Sequence, residues 1–382
     1  MTLIQRIDAP GPKRILALDG GGIRGLISLQ ILARIERLLR HSTGNPQLRL
    51  AEWFDCIGGT STGAIIAACL ALGMEVRQID GFYRTCAGAM FRHASLVERF
   101  WYRYQQDRLA GKLREVFGET TLLGTERISG LLLLMLRNAS TGSAWPVSNN
   151  PRAHYNDPAR ANCNLRLPLW QLVRASTAAP AYFPAQEIHI GTTSFLFQDG
   201  GVTPFNDPAF QTFLMATAEP YRVGWQAERE SLLVVSVGTG SPVPFNDGLS
   251  VFDMDLISVA STVPQSLMAG MQAHTDMLCR LFGDCRFGLA LDKEVGDLIG
   301  ATAPGGKKLF TYLRYDAALT TETLAKLGLG HISAERIRPL DALDATAELT
   351  EVGTAIADSQ VHLHHFDGFW SQRTVPGRPC VI

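Results

Sequence analysis

The sequence predicts an α/β fold, and three features support that class. Hydrophobic residues make up 46% of the 382 residues and charged residues 19%, with 36 glycines, a composition typical of a compact α/β enzyme. Two apolar runs, 14–18 and 53–57, each lead through a glycine-rich turn into a helix-compatible stretch. A third run, 231–237, is the clearest buried strand and ends at a Gly-Thr-Gly turn. Strands that alternate with helices form a sheet with helices packed on it.

The charge balance and the short apolar runs argue against two classes of protein. Lysine and arginine number 35 against 36 aspartate and glutamate, so no overall charge favours a nucleic acid polymer as partner. The longest apolar runs, 65–72 and 131–136, are far shorter than the roughly 18 residues that span a membrane. Residues 1–13 lack the apolar region of a secretory signal. We therefore expect a cytoplasmic protein whose membrane contact is peripheral.

The first predicted strand, residues 14–18, runs into D-G-G-G-I-R-G at 19–25 and then into an amphipathic helix. This loop also matches the dinucleotide-binding pattern G-x-G-x-x-G, in which an acidic residue such as Glu52 or Asp55 would hold a ribose. That interpretation leaves the serine turn after the next strand unexplained. In a hydrolase, the N–H groups of the same loop would form an oxyanion hole.

The second turn, G-G-T-S-T-G-A at residues 58–64, centres on Ser61 and predicts a nucleophile elbow between a strand and a helix. Gly59 and Gly63 suit a turn too tight for a Cβ atom at either position. The Ser61 hydroxyl would lie at a helix N-terminus, where N–H groups favour a developing alkoxide. The competing interpretation is a turn that only caps a helix.

Residues 76–117 differ in character and predict a helical insertion or cap over the site. Eight basic residues stand against four acidic ones and are interleaved with eight aromatic residues. Such a surface suits anionic lipid headgroups or a nucleotide, and a solvated helical pair with its aromatic residues in the core stays an open alternative. Residues 128–136 predict a short buried element, and 139–162, rich in Asn, Ser, Pro and Gly, a long surface loop.

The third glycine turn, D-G-G-V at residues 199–202, follows a predicted helix over 169–179 and two strands over 187–190 and 194–197. Asp199 would act as general base toward Ser61. An aspartate with a pKa of about 3.9 is a weak base, so this requires a poorly solvated pocket and strong oxyanion stabilisation. A hairpin turn at Asp-Gly, with no catalytic role, is the alternative.

A Ser-His-Asp triad is the usual arrangement around a nucleophilic serine. His331 or His274 would be its best candidate, but neither lies in a glycine-rich turn at the end of a convincing strand. The residues H-x-H-H at 362–365 have no acidic or thiol partners at metal-ligand spacing, so we expect surface histidines. The seven cysteines form no C-x-x-C pair, which argues against disulfides and zinc.

The remaining chain predicts a helix over 210–217, a mostly helical stretch over 252–281, a last strand over 309–315 and helices to about residue 369. No internal repeat or linker interrupts it. We therefore expect a catalytic core over 14–240, with a cap and loop at 76–162, and a mostly helical extension of the same globule over 241–382.

Five blocks together resemble the patatin-like phospholipases, in order and at similar spacing, over roughly residues 14–240. They are D-G-G-G-I-R-G-L at 19–26, G-G-T-S-T-G-A at 58–64, A-S-T-A-A-P-A-Y-F-P at 175–184, D-G-G-V at 199–202 and S-V-G-T-G at 236–240. The resemblance implies a three-layer α/β/α fold with a mostly parallel sheet, and a Ser-Asp dyad that needs no histidine, metal or cofactor. One departure is F-N-D-P at 205–208, where the family often shows an Asn-Pro pair.

Carried over by motif position, the resemblance implies that Ser61 is the nucleophile and Asp199 the base. The oxyanion site would be the backbone of Gly20, Gly21 and Gly22, with Arg24 nearby, and further motif glycines are Gly25, Gly59, Gly63, Gly200 and Gly201. The implied activity is phospholipase A or lysophospholipase cleavage of acyl esters at a phospholipid membrane surface.

Residues beyond 240 are also similar to bacterial patatin-like effectors that cyclic oligonucleotides switch on in anti-phage defence. This implies, as an alternative, a hydrolase gated by a cyclic di- or trinucleotide. A non-catalytic nucleotide-binding or storage protein is disfavoured because both Ser61 and Asp199 are present. We expect transient contact with the inner membrane, and an oligomer is compatible with the sequence.

Overall fold

A nine-stranded sheet organises the part of the chain that the computed structural model describes, which comprises residues 1–90, 106–180, 182–241, 256–303 and 305–370. Its strands are β1 Lys13–Leu18, β2 Cys56–Thr60, β3 Leu131–Asn138, β4 Ser143–Ser148, β5 Gln186–Ile190, β6 Thr193–Asp199, β7 Leu232–Val237, β8 Gly283–Phe287 and β9 Phe310–Tyr315. In space the order is β5, β6, β3, β2, β1, β7, β9, β8, and β4 pairs with β3 outside this path.

Most of the sheet is parallel. From β3 through β2, β1, β7 and β9 to β8, each strand pairs in parallel with the next. The antiparallel strand pairs of the described sheet lie on the other side, where β3 pairs with β4 and β6, and β6 with β5. Helices cover both faces, and the prediction of a three-layer α/β/α fold with a mostly parallel sheet is confirmed.

The helices in the described residues are mostly short. They are α1 Leu3–Asp8, α2 Gly25–Thr43, α3 Leu50–Trp53, α4 Thr62–Ala71, α5 Val76–Met90, α6 Gln106–Phe117, α7 Leu169–Ser176, α8 Ala209–Thr217, α9 Leu256–Phe282, α10 Thr321–Lys326, α11 Ala334–Ile337 and α12 Thr346–Gln360. None of the helices in the ranges given above has the length and apolar composition needed to cross a bilayer.

Side chains of the central strands alternate between two hydrophobic cores. On β1, Leu16 and Leu18 belong to one core, and Ile15 and Ala17 to the other, because successive side chains of a strand point to opposite faces. The first core joins the sheet to α2, α4, α7 and α12, and the second joins it to α8 and the end of α9. All of β1 is buried, as expected of a parallel strand covered on both sides.

The prediction of a long surface loop over 139–162 is wrong. Its first part forms β4, which pairs with β3, and Trp145 and Val147 pack on the first core. Pro146 suggested a loop, but β4 pairs only with β3 and is an edge strand, where a missing N–H is tolerated. Asn149 and Asn150 after it are buried.

Two further strands differ from the prediction. The strand before Ser61 is β2, Cys56–Thr60, rather than 53–57, because the preceding residues form the turn of α3, closed by a hydrogen bond from the Phe54 N–H to the Leu50 carbonyl. Strand β8 was not predicted at all, since its five residues include Asp284 and Arg286 and show no sustained alternation.

The predicted cap is helical where the structure describes it. Helices α5 and α6 fall within 76–117. Tyr83 of α5 is fully buried and Arg84 is exposed and paired with Asp80. The interval 91–105 lies outside the described residues, and with it much of the predicted basic and aromatic surface, namely Phe91, Arg92, Arg99, Phe100, Trp101, Tyr102, Arg103 and Tyr104.

Elements from beyond residue 240 contact the same sheet and helices as the preceding part of the chain. Strand β9 pairs in parallel with β7, and β8 extends the sheet beyond β9. Helix α12 packs on α2 so closely that a Cβ atom on Gly353 would lie 2.8 Å from the Cα of Ile27. These contacts bring C-terminal residues up to the loop that follows β1.

Candidate active site

The pairing of β3 brings Ser61 and Asp199 together. Thr60, at the end of β2, pairs with Met135 of β3, and Asp199, at the end of β6, pairs with Leu136, the next residue along. Because β4 takes the opposite edge of β3, β2 and β6 lie end to end along one edge. The turn that follows β2 therefore meets the last residue of β6.

Ser61 lies in a strained turn between β2 and α4. Its φ of 54° and ψ of −121° are unusual for a residue with a side chain, and such a conformation costs about 1–3 kcal/mol. The strand, turn and helix required for a nucleophile elbow are all present. The prediction of this local structure is confirmed.

Two motif glycines allow the backbones around this turn to approach. A Cβ atom on Gly63 would lie 2.1 Å from the carbonyl oxygen of Leu18 in β1, and one on Gly59 would lie 2.2 Å from the carbonyl oxygen of Gly63. In both cases the obstacle is backbone, which cannot turn aside as a side chain can. These contacts set how deeply α4 sits against β1 and β2.

The Ser61 hydroxyl donates a hydrogen bond of 2.6 Å to Oδ2 of Asp199. The other carboxylate oxygen, Oδ1, accepts a hydrogen bond of 2.7 Å from the Gly201 N–H. Gly200 permits this tight turn, since a Cβ atom there would lie 2.3 Å from the Met135 carbonyl oxygen. The structure thus brings together the two side chains that the sequence singled out.

The Asp199 carboxyl group is buried, with 4% of the residue exposed. Burial raises the pKa of Asp199 to about 6, against the opposing effects of the Ser61 hydroxyl, the Gly201 N–H and the Arg174 charge. A carboxylate with this pKa is a stronger base than an aspartate in water, yet it remains mostly ionised at neutral pH. The predicted poorly solvated environment is present.

Ser176, in the A-S-T-A-A-P block, has a contact that sequence reasoning missed. Its hydroxyl oxygen accepts a hydrogen bond of 2.9 Å from the Ser61 N–H and donates one of 2.7 Å to the Met135 carbonyl. Ser176 therefore connects α7, β3 and the elbow. The N–H of Ser61 is already occupied, so oxyanion donors must come from elsewhere.

The glycine loop, residues 19–25, lies directly beside Ser61. A Cβ atom on Gly20 would lie 3.2 Å from the Ser61 Cβ. The Gly20 N–H donates to the Asn206 carbonyl at 3.2 Å, so of the three predicted donors this one is engaged. Within the described part of the chain, the N–H groups of Gly21 and Gly22 have no acceptor.

The carbonyl groups of the loop fix the direction of these two N–H groups. The Gly20 carbonyl accepts from the Thr239 hydroxyl at 3.1 Å and the Asn206 amide at 3.4 Å. The Gly21 carbonyl accepts from the Arg24 N–H at 3.2 Å. In a planar trans peptide the C=O and N–H groups point in opposite directions. The N–H groups of Gly21 and Gly22 therefore point away from the groups that donate to the Gly20 and Gly21 carbonyls.

The side chain of Arg24 contacts the backbone of the loop to which it belongs. The residue is buried, and its Nε lies 3.5 Å from the Gly21 carbonyl oxygen. Burial lowers the pKa of Arg24 to about 10, although the charges of Asp316 and Asp19 oppose this. Its contacts in the structure are thus with the loop carbonyl rather than with Ser61.

The next peptide of the loop, between Gly22 and Ile23, is held at both ends. The Gly22 carbonyl accepts from the hydroxyl of Thr62 at 2.8 Å and from that of Tyr83. The Ile23 N–H donates to the Leu340 carbonyl at 2.8 Å. Gly25 makes room for Thr62, whose Cγ2 would lie 2.2 Å from a Cβ atom there. The sequence carried no signal for Tyr83 or Leu340.

The alternatives to a Ser-Asp pair find no support in the contacts. Asp55, one of the two acidic residues that could serve a dinucleotide site, is buried and bound to Arg6 at 3.1 Å and to the Arg14 N–H at 3.0 Å. His331 is exposed and near Glu351, and His365 is bound to Tyr315. His274 is exposed.

In the residues that the structure describes, no histidine bonds to Ser61 or Asp199, and no group of three His, Cys, Asp or Glu could hold a metal ion. Five cysteines are free thiols in the interior of the described part of the chain, namely Cys56, Cys69, Cys163, Cys279 and Cys285.

Comparisons with known proteins find relatives of this chain. The chain is 31% identical over 244 residues to a cGAMP-activated phospholipase of Vibrio cholerae, covering 59% of this chain and 64% of that relative. It is 28% identical over 249 residues to patatin-15 of Solanum tuberosum, covering 61% of each. The chain thus spans less than two thirds of the length of either relative.

Among solved structures, VipD from Legionella pneumophila covers 90% of this chain and 67% of its own, with 14% identity and a TM-score of 0.39, too low to support an argument. A family model described as patatin-like phospholipase matches residues 16–212, just over half of the chain, and includes Ser61, Asp199 and the whole glycine loop. This protein therefore belongs to the patatin-like phospholipase family.

Proposed function

We propose that this protein is a serine carboxylic ester hydrolase in which Ser61 is the nucleophile and Asp199 the general base. The 2.6 Å contact between the Ser61 hydroxyl and the buried Asp199 carboxylate carries the proposal. Membership of the patatin-like phospholipase family supports it. The N–H groups of Gly21 and Gly22 would stabilise the oxyanion, since they follow Gly20, which lies beside Ser61, and have no acceptor in the described residues.

In the first half of the reaction, Asp199 takes the hydroxyl proton while the Ser61 oxygen attacks the ester carbonyl carbon. The carbonyl oxygen becomes an oxyanion and accepts hydrogen bonds from Gly21 and Gly22. Collapse of the tetrahedral intermediate breaks the ester bond, and the protonated Asp199 gives its proton to the leaving alcohol. An acyl group then remains on Ser61.

In the second half, water replaces the alcohol. Asp199, again a carboxylate, takes a proton from the water as its oxygen attacks the acyl carbon. The Ser61 oxygen leaves and recovers the proton from Asp199, which releases the fatty acid. One residue thus serves as base and acid in turn, which suits a pKa of about 6 better than the usual value near 4.

We propose phospholipid acyl esters as the substrates, in a phospholipase A or lysophospholipase reaction at a membrane surface. Apolar side chains lie next to the Asp199 turn. Val202 is 38% exposed, and the methyl group of Met268 on α9 is 3.5 Å from the position of a Cβ atom on Gly201. An acyl chain could lie along these side chains as its carbonyl reaches Ser61.

The test is the activity of Ser61→Ala and Asp199→Asn on phospholipid vesicles and on a p-nitrophenyl ester. We expect each variant to lose at least about 1,000-fold in kcat/KM while staying folded. Ser359→Ala and Asp358→Asn, neighbouring changes on the partly exposed end of α12, are matched controls and should retain full activity. Turnover near the wild-type rate in folded Ser61→Ala or Asp199→Asn would refute the dyad.

A second proposal is that a cyclic di- or trinucleotide activates this hydrolase in anti-phage defence at the inner membrane. The 31% identical relative named a cGAMP-activated phospholipase favours it. A cleft of about 430 Å³ lined by Arg152, Arg160 and Arg222 could receive the phosphates. Next to this cleft, the side-chain amide of buried Asn150 donates a hydrogen bond of 2.7 Å to the carbonyl of Tyr221, the residue before Arg222.

Calorimetry and activity measurements with cGAMP and a panel of other cyclic di- and trinucleotides test this proposal. We expect one of them to bind and to raise activity, and Arg222→Ala to weaken binding at least about tenfold because a charge-assisted contact is lost. Arg229→Ala, which changes another exposed arginine, should bind as the wild type does. Full basal activity with no binding by any nucleotide would exclude gating.

Mass spectrometry of membrane lipids after induced expression would test substrate and location together. Wild-type protein should raise lysophospholipids and free fatty acids in the inner membrane, and Ser61→Ala should not. An unchanged lipid profile, with the p-nitrophenyl ester still cleaved, would keep the hydrolase and remove phospholipid as its substrate.

A further inference from the structure

We infer that Arg314 of β9 is a positioning residue for the glycine loop, although it lies beyond residue 212, where the match to the family ends. The inference rests on the proposed function, because the loop supplies the proposed oxyanion donors. Two independent chains of contacts lead from its guanidinium group to the peptide that carries the Gly21 N–H.

The first chain of contacts runs through Asp19, the residue before Gly20. Arg314 Nη1 donates to Asp19 Oδ1 at 2.9 Å, and Nη2 donates to Asp19 Oδ2 at 2.7 Å. The side chains of Arg314 and Asp19 are 4% and 0% exposed. A bidentate pair fixes the orientation of both planar groups, so the start of the glycine loop is held against β9.

The second chain runs through Asp316, two residues further along the chain. Arg314 Nη2 donates to Asp316 Oδ2 at 2.9 Å. The same carboxylate accepts from the Gly240 N–H at 2.9 Å and the Ser241 hydroxyl at 2.6 Å. This holds the turn that contains Thr239, whose hydroxyl donates to the Gly20 carbonyl.

Arg314 also reaches the loop that follows Asp199. Its Nη1 lies 3.2 Å from Oδ2 of Asp207 and 2.6 Å from the hydroxyl oxygen of Ser236. Asp207 follows Asn206, whose carbonyl accepts from the Gly20 N–H. The guanidinium group of Arg314 therefore connects the glycine loop with the loop that follows Asp199.

The charges explain why a buried arginine is needed there. The guanidinium of Arg314 is the shared partner of the three buried carboxylates of Asp19, Asp207 and Asp316. Burial raises the pKa of Asp19 and of Asp207, and the Arg314 charge opposes that rise. Without a geometrically matched cation the carboxylates repel one another, and we expect the segments they belong to, the glycine loop among them, to shift.

The experiment compares Arg314→Lys with the wild type on a p-nitrophenyl ester. Lysine keeps the charge but cannot form the bidentate fork. We expect kcat to fall about 10- to 100-fold, less than or equal to the loss of a whole oxyanion donor, while KM changes less than about twofold. Affinity for a trifluoromethyl ketone, which forms a tetrahedral adduct on the serine, should fall by the same factor as kcat.

Arg280→Lys is the matched control. Arg280 is equally buried, forms a bidentate pair with Asp276 and binds the Leu289 and Asp297 carbonyls. No contact joins it to the glycine loop among the residues described, so its change should lower stability without changing kcat. A kcat for folded Arg314→Lys equal to that of Arg280→Lys would overturn the inference.

Asp19→Asn decides the matter if Arg314→Lys does not fold, since it removes one buried negative charge and leaves Arg314 with two carboxylate partners. It should lower kcat and ketone affinity in parallel, and unchanged values would overturn the inference. The activity of Ser61→Ala distinguishes a failure of the proposed function from a failure of the positioning role. An active Ser61→Ala refutes the proposed function itself, whereas an inactive Ser61→Ala with wild-type kcat in Asp19→Asn refutes only the positioning role.

Discussion

At the scale of single residues, burial makes Asp199 a stronger base than an aspartate in water. The carboxylate keeps two hydrogen-bond donors, Ser61 and Gly201, but has almost no contact with solvent. Desolvation disfavours the charged form, and the two hydrogen bonds only partly compensate. The resulting pKa of about 6 has one consequence for catalysis and another for stability.

The consequence for catalysis is a fall in kcat/KM on the acidic side. Asp199 must be ionised to accept the Ser61 proton, so kcat/KM should fall about tenfold per pH unit below pH 6, the value to which the pKa of Asp199 is raised. The measurement is a pH profile on a p-nitrophenyl ester, with circular dichroism at each pH to confirm folding. A rate that stays constant down to pH 4.5 in the folded protein would contradict the assignment.

The consequence for stability has the opposite sign to that of an ordinary ion pair. Because burial raises the pKa of Asp199 in the folded state to about 6, from the usual value of about 3.9, its favourable contribution to the free energy of unfolding is complete below about pH 4 and is lost as pH rises through 6. At pH 7.5, Asp199→Asn should therefore be more stable than the wild type, by on the order of 3 kcal/mol from the 1.36 kcal/mol per pKa unit.

The measurement is the free energy of unfolding in urea at pH 4 and pH 7.5. The asparagine amide can still accept from the Gly201 N–H and donate to the Ser61 hydroxyl, so the two contacts are conserved in number. Asp358→Asn, exposed on α12, should change stability by less than about 0.5 kcal/mol at both pH values. Equal stability of Asp199→Asn and wild type at both pH values would show that burial does not raise the pKa of Asp199.

At the scale of elements, α7 contributes Ser176, which joins the elbow to β3. Ser176→Ala should lower stability by about 1–3 kcal/mol, because it leaves the Ser61 N–H and the Met135 carbonyl unpaired. It should also lower kcat about tenfold, since Ser61 loses the contact that fixes its peptide. The measurements are unfolding in urea and steady-state kinetics.

Thr311→Val is the control for Ser176→Ala. The Thr311 hydroxyl is equally buried and donates to the Arg229 carbonyl at 2.8 Å, at the start of β9 and away from the strand ends that carry the site. It should lose stability to a similar degree while kcat is unchanged. If the two variants have the same kcat, Ser176 has no more than a packing role.

The close approach of α4 to β1 depends on Gly63. Gly63→Ala should lower the free energy of unfolding by about 3 kcal/mol or more, because the new methyl group would overlap the Leu18 carbonyl oxygen at 2.1 Å. Gly81→Ala, in the exposed face of α5 with open space around it, should instead raise stability by about 0.5–1 kcal/mol. Urea unfolding of both variants checks the contrast, and a Gly63→Ala variant as stable as the wild type would contradict it.

Secondary structure could be predicted where the residues of a single segment determine it. The strand at 231–237 is mostly apolar because both its faces are covered, and the Ser61 turn carries its glycines in a fixed pattern. Strand β4 escaped prediction because Pro146 normally interrupts a sheet, and only the position of β4 at an edge makes it acceptable.

At the scale of the whole molecule, the site joins residues from all three thirds of the chain. Ser61 and Asp199 could be predicted because each lies in a local pattern that has a known chemistry. Arg314 could not, because an arginine within an apolar strand carries no such pattern and its importance arises only when the fold brings Asp19, Asp207 and Asp316 around it. The same holds for the Leu340 carbonyl, a backbone group that any residue would supply.

The whole molecule should also tolerate the loss of its described histidines one at a time. His274→Asn and His331→Asn should keep kcat within about twofold, since both residues are exposed and neither contacts the dyad. His365→Asn should lower stability through its bond to Tyr315 while leaving kcat unchanged. Steady-state kinetics on each variant decide between dyad and triad, and a loss of about 1,000-fold or more at any of the three would establish a histidine in the mechanism.

Strands β2 and β6 lie end to end along β3, so their pairing register with β3 sets the distance between the Ser61 hydroxyl and the Asp199 carboxylate. The residues that pair with the ends of β2 and β6, Met135 and Leu136, are adjacent in β3. Insertions in the surrounding loops can therefore accumulate without harm to the pair, whereas a single residue added to or deleted from β3 at this step would change the spacing of the two groups by about 3.3 Å and reverse the face that one of them meets.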